Sequence, residues 1–203
     1  MEFSVLGLKI KTNFLNLALI VCAVILSDAS GFTGFWVFLA IVLHETAHLL
    51  TLCIFKCQPK EIRFATFDVV IVEKNFVQRS FLKDTLIYIS GPLANIFFAF
   101  FILFLHKIFN FQILLEIFLI NITLGCFNLL PIVFLDGGKI LKLLLEFKFN
   151  PRKSKNILVA TSIISIVPLL LTGIIGVCSN SFNFSLLFLS IYLVIMLLIK
   201  KIE

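Results

Sequence analysis

The stretch HETAH at residues 44–48 contains the side chains of this sequence that are best suited to catalysis. On a helix, histidines four residues apart lie on one face about a turn from each other, so both imidazoles can bind the same metal ion. Glu45, next to the first histidine, can then take a proton from a water molecule at the metal. The pattern therefore predicts a zinc site with His44 and His48 as ligands and Glu45 as the base.

The setting of this motif makes it more specific than the pattern alone. It is flanked by Ala40–Leu43 on one side and by Leu49 and Leu50 on the other. Ionisable groups at membrane depth are costly, and they usually serve a function. Two buried histidines with a purely structural role are the alternative interpretation, and the apolar surroundings argue against it.

Composition bounds the kind of fold that must position these residues. The chain has 203 residues, of which 61% are hydrophobic and 14% are charged. A soluble domain of this size is not so apolar, so we expect an all-α polytopic membrane protein. We predict one domain over residues 1–203 with about six transmembrane helices. The spans are expected near residues 14–30, 35–55, 85–105, 113–135, 157–177 and 184–199.

Basic residues give this arrangement a direction in the membrane. With six spans, all of the 17 Lys and Arg residues except Lys107 fall on one side. The positive-inside rule then places both termini and the two long loops in the cytosol. We interpret these basic residues as determinants of membrane topology, and we predict no nucleic-acid binding. The first apolar segment, which follows Lys9 and Lys11, also resembles a cleavable signal peptide, but retention as a span fits the charges better.

The loop between the second and third predicted spans contains a β-rich segment at residues 62–73. Its imperfect alternation predicts a short hairpin or edge strand at the membrane surface. An unpaired edge beside a catalytic site could bind an extended substrate by strand addition. A plain connecting loop is the other interpretation. Residues 150–155 are expected to form a polar linker before the fifth span.

Cysteines do not add a second metal site. The five cysteines are scattered through apolar segments, with neither a disulfide framework nor a C-x-x-C pair. Cys53 and Cys57 could reach each other on a helix, but they are better explained as small buried side chains.

A catalytic zinc needs a third protein ligand besides the two histidines. The chain has a third histidine, His106, which is expected at the far membrane boundary and not near the motif. The acidic candidates within the membrane are Asp136 and, less well placed, Glu116. Asp136 follows Pro131, which must interrupt its helix, and precedes two glycines at 137 and 138 that allow a turn. The alternative role for Asp136 is to cap the helix that follows.

Taken together, these motifs resemble those of the site-2 protease family of intramembrane zinc metalloproteases. The resemblance covers nearly the whole chain and has three parts in the family's order: HETAH at 44–48, GPLAN at 91–95, and NLLP at 128–131 with LDGG at 135–138. It implies one zinc ion per chain. The implied zinc ligands are His44, His48 and Asp136. The implied catalytic acid/base is Glu45.

The resemblance also implies supporting residues around this site. Asn128 would lie near the zinc and help to hold substrate or water, and Pro131 belongs to the same motif. Gly91 and Asn95 form part of the third-span signature, where a glycine permits close helix approach and an asparagine offers a buried polar contact.

Within the family, the short chain and the FNLLP and LDGGK segments look most like the stage IV sporulation protein FB type. This resemblance implies cleavage of a membrane-tethered pro-sigma factor, pro-sigma-K, during endospore formation, under the control of inhibitory membrane partner proteins. The implied location is the bacterial inner membrane or the membrane around the forespore. No CBS or PDZ domain is expected within the chain.

Three other functions remain open at this point. The chain could cleave a different membrane client such as an anti-sigma factor, or bind clients as a zinc-binding pseudoprotease without peptidase activity. It could also transport metal, although transport would favour polar residues along several spans, whereas here they concentrate in two segments.

Overall fold

Long apolar helices make up most of the structure. The computed structural model of the chain describes residues 2–5, 8–12, 33–55, 59–65, 68–73, 80–178 and 185–202. The helices in these ranges are α1 (Thr33–Ile54), α2 (Phe81–Phe109), α3 (Gln112–Asn128), α4 (Asp136–Lys148), α5 (Pro151–Cys178) and α6 (Ser185–Ile202). The predicted first span, 14–30, lies outside the described residues.

Three of these helices, α1, α2 and α5, are each long and apolar enough to cross a membrane. Helix α3 and most of α6 are apolar but shorter. A bilayer core about 30 Å thick needs about 20 apolar residues in a helix, which these three provide. The helices are those of an integral membrane protein, as the composition predicts.

A small sheet accompanies the helices. Its strands are β1 (Glu2–Val5), β2 (Leu8–Thr12), β3 (Pro59–Ala65) and β4 (Asp68–Glu73), in the order β1-β2-β3-β4. Strands β2 and β3 are parallel, and the other two pairs are antiparallel. Strands β3 and β4 occupy the segment whose alternation favours β structure. No strand was expected at β1 and β2.

The chain divides into two units, Met1–Leu129 and Leu130–Glu203. In the first unit, α1, α2 and α3 pack against one another. Their buried apolar side chains include Ala40, Leu52, Ile87, Ala99, Ile102 and Ile117. In the second unit, α4 packs on α5 and α5 packs on α6. The buried apolar side chains there include Ile132, Leu145, Leu158, Ile166, Leu193 and Leu197.

The predicted fourth span, 113–135, is wrong in its last seven residues, 129–135. Helix α3 ends at Asn128, and an irregular segment precedes α4. Pro131 lacks the N–H that a continuing helix needs, so the helix cannot run on to Leu135. The turn expected at residues 137 and 138 is also wrong, because both glycines lie in the first turn of α4.

Two other boundaries differ from the prediction. The polar stretch 150–155 is not a linker, because α5 begins at Pro151. Proline suits the first position of a helix, where its fixed φ is already helical and no N–H is needed. Helix α2 extends beyond the expected 85–105 and ends at Phe109. The next residue, Asn110, has φ of 54° and donates its N–H to the His106 carbonyl at 2.7 Å.

Candidate metal centre

Helix α1 presents its two motif histidines to the same place. Both side chains are buried, with exposed fractions of 5% for His44 and 7% for His48. Their Nε2 atoms lie 3.2 Å apart, and the ring planes are nearly perpendicular. The i, i+4 spacing on a helix thus brings the two imidazoles together, as the sequence predicts.

Helix α2 fixes how these rings are turned. His48 donates from Nδ1 to the Ile87 carbonyl at 2.7 Å, and the Ser90 hydroxyl donates to the same carbonyl. His44 donates from Nδ1 to Oδ1 of Asn95 at 2.7 Å. A neutral imidazole carries one N–H, so with Nδ1 protonated each ring presents an unprotonated Nε2 to the other.

The geometry of this pair suits a metal ion. Two unprotonated Nε2 atoms 3.2 Å apart direct their lone pairs at the same volume, and only a shared proton or a cation relieves that repulsion. Imidazole nitrogens are preferred zinc ligands. A hydrogen bond from the other ring nitrogen to a carbonyl or side-chain oxygen is the usual outer-shell arrangement around them. The donor chemistry of His44 and His48 therefore fits zinc.

Gly91 allows helix α2 to lie against the two histidines. A Cβ atom at this position would lie 2.7 Å from His44 Nε2 and would also overlap His48 Nε2. Real Cβ atoms essentially never approach that closely, so every other residue type would displace the imidazoles. The glycine of the third-span motif thus contacts the nitrogens that could bind a metal.

Glu45 directly follows His44 and lies between the two histidines in the same turn of α1. Its side chain is half-buried, whereas those of His44 and His48 are buried. A carboxylate next to residues that could bind a metal is suited to proton transfer with water.

Asp136 is the first residue of α4, in the second unit. Its side chain is buried, with an exposed fraction of 5%, and Lys139 Nζ lies 3.4 Å from its Oδ1. A carboxylate in the first turn of a helix is favoured by the partial positive charge of the helix N-terminus. Glu116, the other acid considered from the sequence, lies on α3 and has an exposed side chain.

The irregular segment before Asp136 is held by specific hydrogen bonds. The Leu135 N–H donates to the Ile132 carbonyl at 2.9 Å, and the Val133 N–H donates to Ser162 Oγ on α5 at 3.0 Å. The Ser162 hydroxyl itself donates to the Leu158 carbonyl at 2.7 Å. Ser162 is completely buried. Sequence reasoning missed it, although a serine within an apolar helix was the available signal.

Of the remaining residues considered from the sequence, Asn128 and His106 each bond a nearby carbonyl. Asn128 is half-buried and donates to the Leu124 carbonyl of its own helix at 3.1 Å. Pro131 is half-buried in the irregular segment. His106 lies in the last turn of α2 and bonds the Phe111 carbonyl through Nδ1 at 2.9 Å. Cys53 is an exposed free thiol, and Cys57 lies outside the described residues.

Asn121 is a polar residue of the site region that sequence reasoning also missed. It lies on α3, is 1% exposed, and accepts a hydrogen bond from Asn95 Nδ2 at 2.9 Å. Its signal was an asparagine within an apolar helix, where a polar side chain needs a partner.

The sequence of this chain is similar to sequences of known metalloproteases. A family model described as peptidase family M50 matches residues 106–169. Zinc metalloprotease MJ0392 of Methanocaldococcus jannaschii is 26% identical over 166 residues, covering 76% of this chain and 48% of that protein. The predicted resemblance to site-2 proteases is confirmed. The chain spans about half the length of this curated relative.

A solved structure shows the same fold. The site-2 protease from Methanocaldococcus jannaschii superimposes with a TM-score of 0.69 at 23% sequence identity. The match covers 95% of this chain and 91% of that one. The site-2 protease fold therefore extends over nearly the whole chain.

Proposed function

We propose that this chain is an intramembrane zinc metalloprotease that binds one zinc ion through His44, His48 and Asp136. The observation that carries the proposal is the buried histidine pair, whose Nε2 atoms lie 3.2 Å apart while both Nδ1 atoms donate to oxygens of α2. The relative named as a zinc metalloprotease supports the choice of metal.

Asp136 is the acid best suited to complete the ligand set. Asp136 is buried at the start of α4, and the resemblance of the LDGG motif at 135–138 to the family assigns it to the metal. Glu116 is exposed, and His106 bonds a carbonyl at the end of its own helix. Two histidines and a carboxylate leave a zinc coordination position for water or substrate.

In peptide hydrolysis, Glu45 has a role separate from that of the zinc ligands. Zinc, when bound, supplies a Lewis acid that lowers the pKa of water and polarises a peptide carbonyl. The Glu45 carboxylate accepts the proton of the attacking water and passes it to the leaving amine. The Ile87 carbonyl oxygen and Asn95 Oδ1 accept hydrogen bonds from the two imidazoles and hold them in place during these steps.

The substrate we propose is a membrane-tethered transcription-factor precursor of the pro-sigma-K kind. The support is the motif resemblance to the sporulation branch described above. In this proposal, one domain with six spans has both termini in the cytosol, and inhibitory membrane proteins control it. Asn128 and Pro131 lie beside the bound substrate. An anti-sigma factor is the alternative client.

We also propose that an extended substrate binds to the sheet. Strand β4 (Asp68–Glu73) stands at one edge of the described sheet and pairs on its other side with β3. A peptide can add to such an edge through main-chain hydrogen bonds. We propose that β4 lies at the membrane surface and aligns the substrate in this way.

The test is co-expression with a pro-sigma-K-like substrate in a host that does not sporulate. Wild type and His106→Gln are expected to shorten the substrate, whereas Glu45→Gln and Asp136→Asn leave it intact. Cleavage by Glu45→Gln would remove this residue from the role of base. If wild type contains zinc yet cleaves neither this substrate nor a tethered anti-sigma factor, the proposed substrate class is wrong.

A further inference from the structure

The side chains of His44, Asn95 and Asn121 form one continuous series of hydrogen bonds across three helices, which we call the relay. His44 Nδ1 bonds Asn95 Oδ1 at 2.7 Å, and Asn95 Nδ2 bonds Asn121 Oδ1 at 2.9 Å. Asn121 Nδ2 then bonds the Ile117 carbonyl at 2.9 Å. Asn95 and Asn121 are 0% and 1% exposed, so water does not compete with these bonds.

The Ile117 carbonyl at the end of this series determines which atom donates in each hydrogen bond. A backbone carbonyl only accepts, so Asn121 must turn its amide nitrogen towards Ile117 and its oxygen towards Asn95. Asn95 must then present its own nitrogen, which also donates to the Ala40 carbonyl at 3.0 Å. Its remaining oxygen faces His44, which must donate from Nδ1.

We infer that Asn121 is a positioning residue that fixes the tautomer of His44 through Asn95. The inference rests on the proposed zinc site and deepens it. With the relay intact, Nδ1 of His44 holds the ring proton and Nε2 is the unprotonated nitrogen that faces His48. Asn121 itself hydrogen-bonds Asn95 and the Ile117 carbonyl, and it acts on His44 only through Asn95. It acts together with the Ala40 carbonyl, which also accepts from Asn95 Nδ2, to keep Asn95 from exchanging its oxygen and nitrogen.

Loss of Asn121 makes that exchange easier, because the Ala40 carbonyl alone then holds the Asn95 nitrogen in place. In Asn121→Leu, the Asn95 amide loses the acceptor that holds its nitrogen on the α3 side. The flipped amide would turn its nitrogen towards His44, and His44 would then carry its proton on Nε2. A protonated Nε2 cannot bind a metal ion. Loss of an outer-shell partner typically lowers metal affinity by about 10- to 100-fold, and we expect a decrease in that range.

The experiment has two readouts on the full-length chain in detergent micelles. Nitrogen-15 NMR of labelled histidine gives the tautomer of His44 in the metal-free chain, with His44→Gln used to identify its signal. Competition with a chromophoric chelator gives the zinc affinity. Thr51→Val is the matched control, because it removes a side-chain hydrogen bond to the Ala47 carbonyl on the histidine-bearing helix without touching the relay.

We expect wild type and Thr51→Val to hold His44 with its proton on Nδ1. Asn121→Leu should show a mixture of tautomers and the lower zinc affinity. The double variant with Asn95→Leu should bind zinc no more weakly than Asn95→Leu alone, because contributions through a shared partner do not add. Asn121→Ala adds no bulk and replaces the leucine variant if that one does not fold.

The inference is overturned if metal-free wild type carries the His44 proton on Nε2. It is also overturned if a folded Asn121 variant keeps both the wild-type tautomer and the wild-type zinc affinity. A purely structural Asn121 would lower thermal stability and leave the tautomer unchanged. Absence of zinc binding in wild type would refute the proposed zinc site, whereas the tautomer in the metal-free chain would still decide on the relay.

Discussion

Gly91 lies directly against His44, so that a Cβ atom at position 91 would be only 2.7 Å from His44 Nε2. The contact joins helix α2 to the nitrogen that we assign to the metal. The third-span glycine therefore has a chemical reason to be there besides helix packing. It leaves room for the imidazoles to take the orientation that Asn95 and Ile87 impose.

Substitution of Gly91 by alanine should remove zinc binding. The added methyl group must displace the His44 or His48 ring, because the backbone of α2 is held by its own helix. We expect the zinc content of purified Gly91→Ala, measured by mass spectrometry of the metal, to fall to background. Gly173→Ala adds the same group against Leu187 on α6 and should retain one zinc per chain. Full zinc content in Gly91→Ala would show that the contact is not tight.

Substitution of Ser162 by alanine should destabilise the segment before Asp136. It removes the acceptor of the part-buried Val133 N–H. A buried group left unsatisfied costs about 1–3 kcal/mol, and we expect a loss near the lower end of that range. Unfolding in mixed detergent micelles should show a loss of this size. Thr172→Val is the control, because the Thr172 hydroxyl bonds only carbonyls of its own exposed turn. Equal stability of the two variants would contradict the role given to Ser162.

Substitution of Gly138 by alanine should also be costly. A Cβ atom there would overlap the Ile132 carbonyl and lie 3.0 Å from the Val133 nitrogen. Backbone cannot yield as a flexible side chain does, so we expect a decrease in the free energy of unfolding of about 1–3 kcal/mol. Gly137→Ala, at the half-buried neighbouring position, should cost less. The same unfolding measurement compares the two, and a reversed order would refute the close packing at Gly138.

Much of the helical architecture could be predicted because apolar length alone selects helices at membrane depth. The pairing of His44 with His48 followed from helix periodicity, and the break near Pro131 followed from its missing N–H. The start of α4 could not be predicted in this way. Two glycines favour a turn locally, but here the close approach of the Ile132 carbonyl requires one of them inside a helix.

The supporting residues of the site were harder to predict. Asn121 and Ser162 belong to no motif, and their partners lie 26 and 29 residues away along the chain. Their roles depend on which helices pack together. A single sequence does not give that packing, although a buried polar residue in an apolar helix shows where to look.

Zinc content is the most direct test of the central claim that His44, His48 and Asp136 form one metal site. Purified wild type and Glu45→Gln should each carry one zinc per chain, because Glu45 is assigned to proton transfer and not to the metal. His48→Ala and Asp136→Ala should carry only background zinc while remaining folded. A folded Asp136→Ala that keeps a full zinc ion, or a wild type without zinc, would contradict this site.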